Sequence, residues 1–270
     1  MSDPTSSSPQ GTVVTVEFVR HRNALLVRAD CAPLFTDYYL HLADHGLRHP
    51  PELDRMFKDA LAAFTLYCAA RPRHEHLAWT LGFQAPRANL FLAGDNEDDT
   101  VTGRLFTENV READRNMFYC DIVPRRGAET RRSVVSFEGT DALRAAEAFH
   151  AESEQRPARY FHLGGDEYAL LAAHPDCDME WFAKLGQPEI RPLGGHETLA
   201  LIERRDYRWE CGCNQRKILR ALAPAARQDM GDLFGDGESI RVQCPRCAAV
   251  HVITREAMEA FLAEPPKTGA

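Results

Sequence analysis

Hydrophobic and polar residues alternate in the first part of the chain, and this alternation predicts β-strands. Between residues 13 and 28, apolar side chains occupy every second position of two short runs, which is the period of a half-buried strand. Further strands are predicted at residues 78–83, 88–92, 101–106, 116–123 and 132–137. Residues 159–163 and 168–172 flank Gly164-Gly165 and are predicted to form a hairpin.

A helical period replaces the alternation in two places. Apolar residues recur every three or four positions from Pro50 to Ala70, which predicts a helix. Its opening prolines, Pro50-Pro51, fall in the first turn, where proline is tolerated. A second helix is predicted to begin at the N-cap candidates Thr140-Asp141 and to end before Pro157. Strands and helices occur in blocks rather than in strict βαβ alternation, so we predict an α+β fold.

The same pattern divides the chain into five parts. We predict a disordered tail at 1–12, a mixed sheet-and-helix core at 13–175, a linker at 176–207, a small C-terminal domain at 208–262 and a second tail at 263–270. Prolines and glycines interrupt the linker, which is expected to hold short helical pieces near 181–185 and 198–203. In the small domain, helices are predicted at 215–222 and 225–234, strands at 239–243 and 248–253, and a last helix from Thr254.

Composition narrows the class of protein. The chain has 270 residues and a formal net charge of −8, which argues against a general nucleic-acid binder. It has no apolar run of roughly 18 residues, so no membrane span is predicted. The first residues lack the basic and apolar regions of a signal peptide, and a reducing cytoplasmic location is expected. In that compartment, paired cysteines are more often metal ligands or redox sensors than structural disulfides.

Four of the eight cysteines form two close pairs near the C-terminus. The pairs are Cys211-Gly-Cys213 and Cys244-Pro-Arg-Cys247, and thirty residues separate them. Two such knuckles fit a tetrahedral site in which Zn²⁺ takes four sulfur ligands. We therefore predict one Zn²⁺ per chain, held by these four thiolates. Spacing alone leaves open a purely structural zinc ribbon.

Other candidate residues favour structural roles. The scattered Cys31, Cys68, Cys120 and Cys177 are expected to be small buried hydrophobes. His74-Glu-His76 is weighed as a metal pair but has no further ligand nearby in sequence. The acidic stretch 95–99 lacks the ligand pattern of a calcium loop, so a solvated turn is predicted. No catalytic constellation of Ser, His, Asp or Cys stands out, and we predict that the protein is not an enzyme.

The cysteine module resembles that of a known family. Trp209 precedes the Cys-x-Cys, which runs into Asn-Gln-Arg-Lys-Ile-Leu-Arg-Ala-Leu222, and a Cys-Pro-Arg-Cys follows between two strands. Upstream, Ser153-Glu-Gln-Arg-Pro-Ala-Arg159 is similar to a Ser-Glu-Gln-x-Pro-x-Arg segment of the same family. These features resemble heat-shock protein 33, a family of redox-regulated holdase chaperones of the cytosol, and identify this chain as a divergent member.

The resemblance implies a function. It implies an ATP-independent holdase that binds non-native client proteins under oxidative stress, senses the oxidant through the zinc centre and forms a homodimer when oxidised. No P-loop motif is present, in keeping with independence from ATP. Because a sulfenic acid is resolved by the nearest thiolate, we predict the disulfides Cys211–Cys213 and Cys244–Cys247 in the oxidised form. No nucleic-acid or membrane partner is expected.

Two alternatives stay open at this point. The first is a constitutive, zinc-stabilised binding protein of the zinc-ribbon type without a redox switch, and the second is a thiol-dependent enzyme. The short linker is relevant to the constitutive binding protein, because the folded linker is expected to bury only a modest apolar surface around a few side chains. Those side chains are Trp181, Phe182, Leu185, Leu199 and Leu201. At about 25 cal/mol per Å² of buried apolar surface, the linker is predicted to be a weak latch, meaning that little free energy opposes its unfolding. Oxidation is then expected to activate the chaperone with little need for heat.

Overall fold

The computed structural model describes residues 11–264 and divides the chain into two units, Met1–Glu210 and Cys211–Ala270. The two predicted tails fall almost wholly outside the described residues. At their inner ends, Thr12 opens the first strand and Ala263 ends the last helix. Each unit has its own apolar core and is described by itself.

The first unit combines ten strands with five helices in the part of it that the structure describes. The strands are β1 Thr12–Val19, β2 Ala24–Asp30, β3 His76–Gln84, β4 Arg87–Asp95, β5 Thr100–Phe106, β6 Asn116–Val123, β7 Arg131–Phe137, β8 Ala158–Gly164, β9 Glu167–Ala173 and β10 Leu199–Trp209. The helices are α1 Ala32–Asp44, α2 Pro51–Ala69, α3 Ala142–Phe149, α4 Met179–Lys184 and α5 Gln187–Ile190. A π-helical turn, His150–Glu154, extends α3, and a 3₁₀ turn, Leu193–Gly195, follows α5.

The ten strands form one sheet with a narrow seam. Their order is β7-β6-β3-β4-β5-β10-β1-β2-β9-β8. All neighbours pair antiparallel except β10 and β5, which run parallel and pair only at Arg208 with Thr100 and at Trp209 with Val101. The sheet therefore consists of two antiparallel halves of five strands, joined through the end of β10.

The main core lies between this sheet and helices α1, α2 and α3. Helix α2 begins at Pro51 and buries thirteen of its nineteen residues, as the helical period from 50 to 70 predicts. Helix α3 starts at the predicted N-cap, because the Asp141 carboxylate accepts hydrogen bonds from the backbone amides of Leu143 and Arg144. Aromatic rings fill the centre, where Trp79 contacts Phe64, Tyr67, Phe118 and Phe149. These contacts fix the helices on one face of the sheet.

A second apolar layer covers the other face of β1, β2, β8 and β9. On β2, Leu25 and Val27 belong to the main core, whereas Leu26 belongs to the second layer. Strand β9 alternates in the same way. Burial on both faces explains why β2 and β9 are runs of consecutive apolar residues rather than alternating ones. The second layer is completed by the predicted linker, through the buried side chains Phe182, Leu185, Ile190 and Leu193.

The linker is therefore folded and more buried than its sequence suggests. Of the residues expected to form the latch, Phe182 and Leu185 are buried, but Leu201 is 52% exposed on β10. Ile190 and Leu193, which the sequence analysis passed over, are 0% and 2% exposed. The expected modest burial was therefore an underestimate, because short helices and turns between the prolines aim these two side chains at the sheet.

The second unit is small. It contains α6 Gln215–Gln228, α7 Met230–Phe234, the hairpin of β11 Ser239–Gln243 and β12 Val250–Thr254, and α8 Arg255–Ala263. Helix α6 passes through Pro224, where the sequence predicted a break between two helices. The Thr254 hydroxyl caps α8 as predicted by accepting from the Ala257 amide. Six buried apolar residues form its core: Ile218, Leu219, Ala226, Phe234, Ile253 and Met258.

The α+β prediction is confirmed, and two further local predictions were wrong. Residues 198–203 were predicted as a helical piece, but Leu199–Trp209 is strand β10 and pairs with β1. The prediction failed because strand identity there depends on a partner almost 190 residues earlier in the chain, and the local sequence contains good helix formers. Helix α1 was not predicted, although Leu34, Phe35, Tyr38 and Leu42 are buried at helical spacing.

Candidate metal centre

The first cysteine pair lies in the loop between the end of β10 and α6. Between the two cysteines, Gly212 has φ +62°, a left-handed conformation that glycine adopts without strain. Asn214 then caps α6, because its side chain accepts from the Lys217 amide at 2.9 Å. The Lys217 ammonium donates back to the Gly212 carbonyl. A tight turn and a helix start thus fix the direction of Cys211 and Cys213.

The second pair lies at the tip of the β11–β12 hairpin. The Cys244 amide donates to the Ala249 carbonyl at 2.8 Å, and the Ala248 amide donates to the Cys244 carbonyl at 2.9 Å. These bonds close a knuckle whose last residues turn through the left-handed φ of Ala248. Cys244 and Cys247 are each 2% exposed. This pair is therefore more buried than the first, whose cysteines are half-buried.

All four predicted sulfurs converge on one point. The Sγ atoms of Cys211 and Cys244 are 3.7 Å apart, and those of Cys213 and Cys247 are 3.6 Å apart. All four sulfurs lie within 4.8 Å of one another, and none is in a disulfide. A tetrahedron with sulfurs about 2.3 Å from a central Zn²⁺ has edges of about 3.8 Å. The donor set and its spacing fit a closed four-thiolate zinc site.

The electrostatics of the four thiols also favour a cation at the centre. The pKa of Cys211 is lowered to about 5, mainly because Cys247 donates a hydrogen bond to its sulfur, with a further contribution from the charge of Arg246. Burial raises the pKa of Cys213 to about 12, and the pKa of Cys247 is raised because its proton is engaged with Cys211. Four packed sulfurs cannot all ionise beside one another unless a positive charge compensates them.

A fifth side chain reaches the sulfurs. Nε2 of His251, on β12, lies 3.4 Å from Sγ of Cys213. This contact could not be predicted from the sequence, because the approach of His251 to Cys213 depends on how the hairpin is placed against the first knuckle. His251 is half-buried, and its Nε2 edge faces Cys213.

The other predicted candidates form structural contacts. His76 lies close to the carboxylates of Asp95 and Glu97, with Nδ1 3.2 Å from Asp95. Arg126 pairs with both carboxylates, with Glu97 at 3.2 Å and with Asp95 at 3.7 Å. The acidic turn is more than a solvated loop. Within it, the Asp99 carboxylate accepts from the fully buried Arg205, and buried Asn96 donates to the Cys68 carbonyl. We assign this region to fold stabilisation.

The remaining cysteines behave as expected for most positions. Cys31, Cys68 and Cys120 are buried, whereas Cys177 is half-buried beside the second apolar layer. Burial raises the pKa of Cys31 and Cys68. Thiols of this kind are protonated at neutral pH and react poorly with oxidants. Cys211 and Cys213, the half-buried cysteines of the first knuckle, are more accessible to solvent than the buried Cys31, Cys68 and Cys120.

Two arginines hold the folded linker, and neither role was predicted. Arg22, in the β1–β2 turn, donates to Asp178 at 2.6 Å and to Glu197 at 2.9 Å, near the two ends of the helical part of the linker. Arg159, the last residue of the Ser153–Arg159 segment, donates to the backbone carbonyls of Phe182 and Leu185. Both pairings join residues far apart in sequence, which composition and spacing do not reveal.

Comparison with known proteins gives consistent matches. Residues 175–254 match a family model described as Hsp33 protein. The 33 kDa chaperonin of Edwardsiella ictaluri is 23% identical over 175 residues, which cover 55% of this chain and 59% of that relative. The 33 kDa chaperonin of Vibrio cholerae is 19% identical over 259 residues, covering 84% of this chain and 88% of the relative. The alignment with the first of these thus spans well under two thirds of its length.

The fold has a counterpart among solved structures. The crystal structure of a 33 kDa chaperonin, a heat-shock protein 33 homologue from Thermotoga maritima, superposes with a TM-score of 0.70 at 12% identity. The superposition covers 94% of this chain and 98% of that one. In the described residues, no helix is long and apolar enough to cross a membrane. The resemblance to heat-shock protein 33 noted in the sequence is confirmed by the family match, by these relatives and by the shared fold.

Proposed function

We propose that this protein is a redox-regulated, ATP-independent holdase chaperone of the cytoplasm, and not an enzyme. It holds one Zn²⁺ per chain through Cys211, Cys213, Cys244 and Cys247 in the reduced form. The observation that carries the proposal is the convergence of these four sulfurs, within 4.8 Å, in a small unit that directly follows a folded linker. Its partners are non-native client proteins, and neither nucleic acid nor membrane is required.

The thiolates are the sensor. When bound, Zn²⁺ supplies the positive charge that keeps four adjacent sulfurs ionised at neutral pH. A peroxide-class oxidant is attacked by one thiolate, which gives a sulfenic acid and releases hydroxide. A second thiolate then attacks that sulfur and displaces another hydroxide, so the disulfide forms and two electrons have passed to the oxidant.

The pairing of the disulfides follows from tethering. The four sulfurs are about equally close in the folded module, so distance there does not select a pair. Once the module loosens, only Cys211 with Cys213 and Cys244 with Cys247 stay near each other, because the entropic cost of closing a loop rises with its length. We therefore propose these two disulfides for the oxidised form.

The linker supplies the second half of the switch. Its four buried side chains cover one face of β1, β2, β8 and β9. That surface includes Leu26, Phe161 and Leu171, and linker release would expose it as an apolar patch of the kind that binds unfolded segments. Because each buried aliphatic or aromatic side chain contributes roughly 1.5–3 kcal/mol, we expect release to require mild heat as well as oxidation. The released form is the one that we expect to pair into a homodimer.

The test measures metal and activity together. Reduced protein is treated with peroxide at ambient and mildly raised temperature, and zinc release is followed with a chromophoric chelator. The same samples are assayed for suppression of client-enzyme aggregation without ATP. We expect about one zinc released per chain and a gain of activity that is largest when both stresses act. Reduced protein that contains no zinc would contradict the proposal.

A constitutive, zinc-stabilised binding protein is the second candidate. The observation in its favour is the extent of linker burial together with the contacts of Arg22 and Arg159, all of which oppose release. Hydrogen exchange over residues 176–207, in reduced and oxidised protein, separates the two functions. Protection that stays high in both states, with no gain in anti-aggregation activity, would favour the constitutive protein.

A further inference from the structure

A histidine outside the four-cysteine set contacts the site. His251 lies at the second position of β12, where it pairs with Val242 on β11. This hairpin also carries the knuckle of Cys244 and Cys247, yet the His251 ring approaches a sulfur of the other knuckle. Its Nε2 atom is 3.4 Å from Sγ of Cys213. The residue therefore connects the two halves of the site independently of the metal ligands.

The direction of this contact follows from the proposed function, on which the inference rests. A sulfur that ligates a metal is a thiolate, and a thiolate carries no proton to donate. A neutral imidazole has one donor nitrogen and one acceptor nitrogen. The nitrogen beside Cys213 must then be the donor, which assigns the hydrogen to Nε2 and leaves Nδ1 as the acceptor.

We propose that His251 is a positioning residue that donates a hydrogen bond from Nε2 to the Cys213 thiolate. Four thiolates around Zn²⁺ carry a net charge of about −2. A donor aimed at one sulfur withdraws electron density from it and fixes its orientation. The Cys213 thiolate is thereby held in the site and made a weaker nucleophile toward oxidants than it would be without the bond.

Substitution of His251 in the full-length chain tests this role. His251→Phe keeps a ring of similar size but has no donor, and His251→Gln restores an N–H at a similar reach. Val252→Thr is the matched control, because Val252 is the next residue of β12 and its side chain is 51% exposed. Zinc affinity is measured by competition with a chromophoric chelator, and zinc release is timed after addition of peroxide.

The expected loss of zinc affinity in His251→Phe is about 10–100-fold, the usual effect of removing a partner of a metal ligand. Its zinc release is expected to be faster than that of wild type, whereas His251→Gln recovers most of both properties. Val252→Thr should match wild type. In addition, nitrogen-15 spectra of the wild-type histidine side chains should assign the proton of His251 to Nε2.

Three results would overturn the proposal. One is a His251→Phe variant with the affinity and release rate of wild type. Another is a wild-type spectrum with the proton on Nδ1, a result that holds even if the variants fail to fold. The third is wild-type protein that binds no zinc, which would also remove the proposed function. Zinc content of the wild type thus distinguishes failure of this inference alone from failure of both.

Discussion

The zinc module and the linker are stabilised in different ways. The module has a core of six buried apolar residues and a two-stranded sheet in the part that the structure describes, which is little for an independent unit. In the proposed function, Zn²⁺ held by its four cysteines supplies the stability that this small core lacks. The linker contributes no ligand to the four-sulfur site. It buries Phe182, Leu185, Ile190 and Leu193 against the sheet and is held by two arginines.

The difference separates two kinds of stress. Structural zinc in small domains contributes roughly 10–16 kcal/mol of apparent binding free energy. If the module holds zinc as proposed, an oxidant that removes the ligands would destabilise it in one large step. The linker depends on several smaller contributions of about 1.5–3 kcal/mol each, which heat weakens gradually. We infer that oxidation controls the unfolding of the cysteine module and that temperature controls the unfolding of the linker.

The largest effect is expected from removing the metal ligand set. Cys244→Ser should abolish tight zinc binding and unfold residues 211–264, because the remaining apolar core is too small to hold the module. Hydrogen exchange should show lost protection there and retained protection in α2 and β3. Cys177→Ser, a cysteine outside the site, is the control and should keep zinc. A Cys244→Ser protein that binds zinc as tightly as wild type would contradict the assignment.

The next effect concerns the linker alone. Ile190→Ala removes a side chain that is 0% exposed and should cost about 2–5 kcal/mol. Linker amides should then exchange at least about 30-fold faster, while zinc affinity stays unchanged. Leu201→Ala, at a position 52% exposed, should have little effect on either quantity. Equal exchange in Ile190→Ala and wild type would show that the linker is not held by this burial.

Acid should act on the main core through one histidine. Burial lowers the pKa of His150 to about 4, below the 6.5 of an exposed histidine. The unfolded chain therefore binds more protons than the folded one between these values, so this contribution is present above pH 6.5 and is lost as the pH falls toward 4. At pH 5 the loss is about 2 kcal/mol.

Denaturant titrations at pH 7 and pH 5 measure this loss. His150→Gln should be less stable than wild type at pH 7, because the bond from His150 to Tyr160 is altered. The difference between the two proteins should narrow at pH 5. Contributions common to both, including protonation of the zinc ligands, cancel in the comparison. A constant difference across the two pH values would show that His150 does not titrate as described.

The smallest effect is expected at the Arg159 clamp. Arg159→Ala removes the donor to the Phe182 and Leu185 carbonyls and should destabilise the linker by about 1.5–3 kcal/mol. Hydrogen exchange of the linker amides should be accelerated less than in Ile190→Ala. Arg156→Ala, three residues earlier and exposed, is the matched control. If both arginine variants behave alike, the clamp does not contribute to linker stability.

Local signals made the site predictable. Each cysteine pair and the helix cap at Thr254 can be recognised from a few neighbouring residues. The structure brings the four sulfurs together as that spacing predicts. The role of His251 could not be predicted, because it depends on the placement of a hairpin tip against a distant loop.

The linker and β10 were harder to predict for a related reason. Proline and glycine gave the correct impression of interrupted structure but did not reveal which side chains point inward. Ile190 and Leu193 are buried only because the far face of β2 and β9 is apolar and needs a cover. Residues 199–209 become a strand because β1 is there to pair with them. Both outcomes were decided by tertiary partners rather than by local preference.

The narrow seam in the sheet has a mechanical consequence. In the strand ladder, the two five-stranded halves are joined by two residue pairs, Arg208 with Thr100 and Trp209 with Val101, beside the ion pair of Arg205 and Asp99. Cys211 follows two residues after Trp209. A force applied to the chain at Cys211 therefore loads this seam before any of the long antiparallel ladders. Pulled from its C-terminal side, the first unit should yield first along the line between β10 and β5, leaving each half-sheet intact.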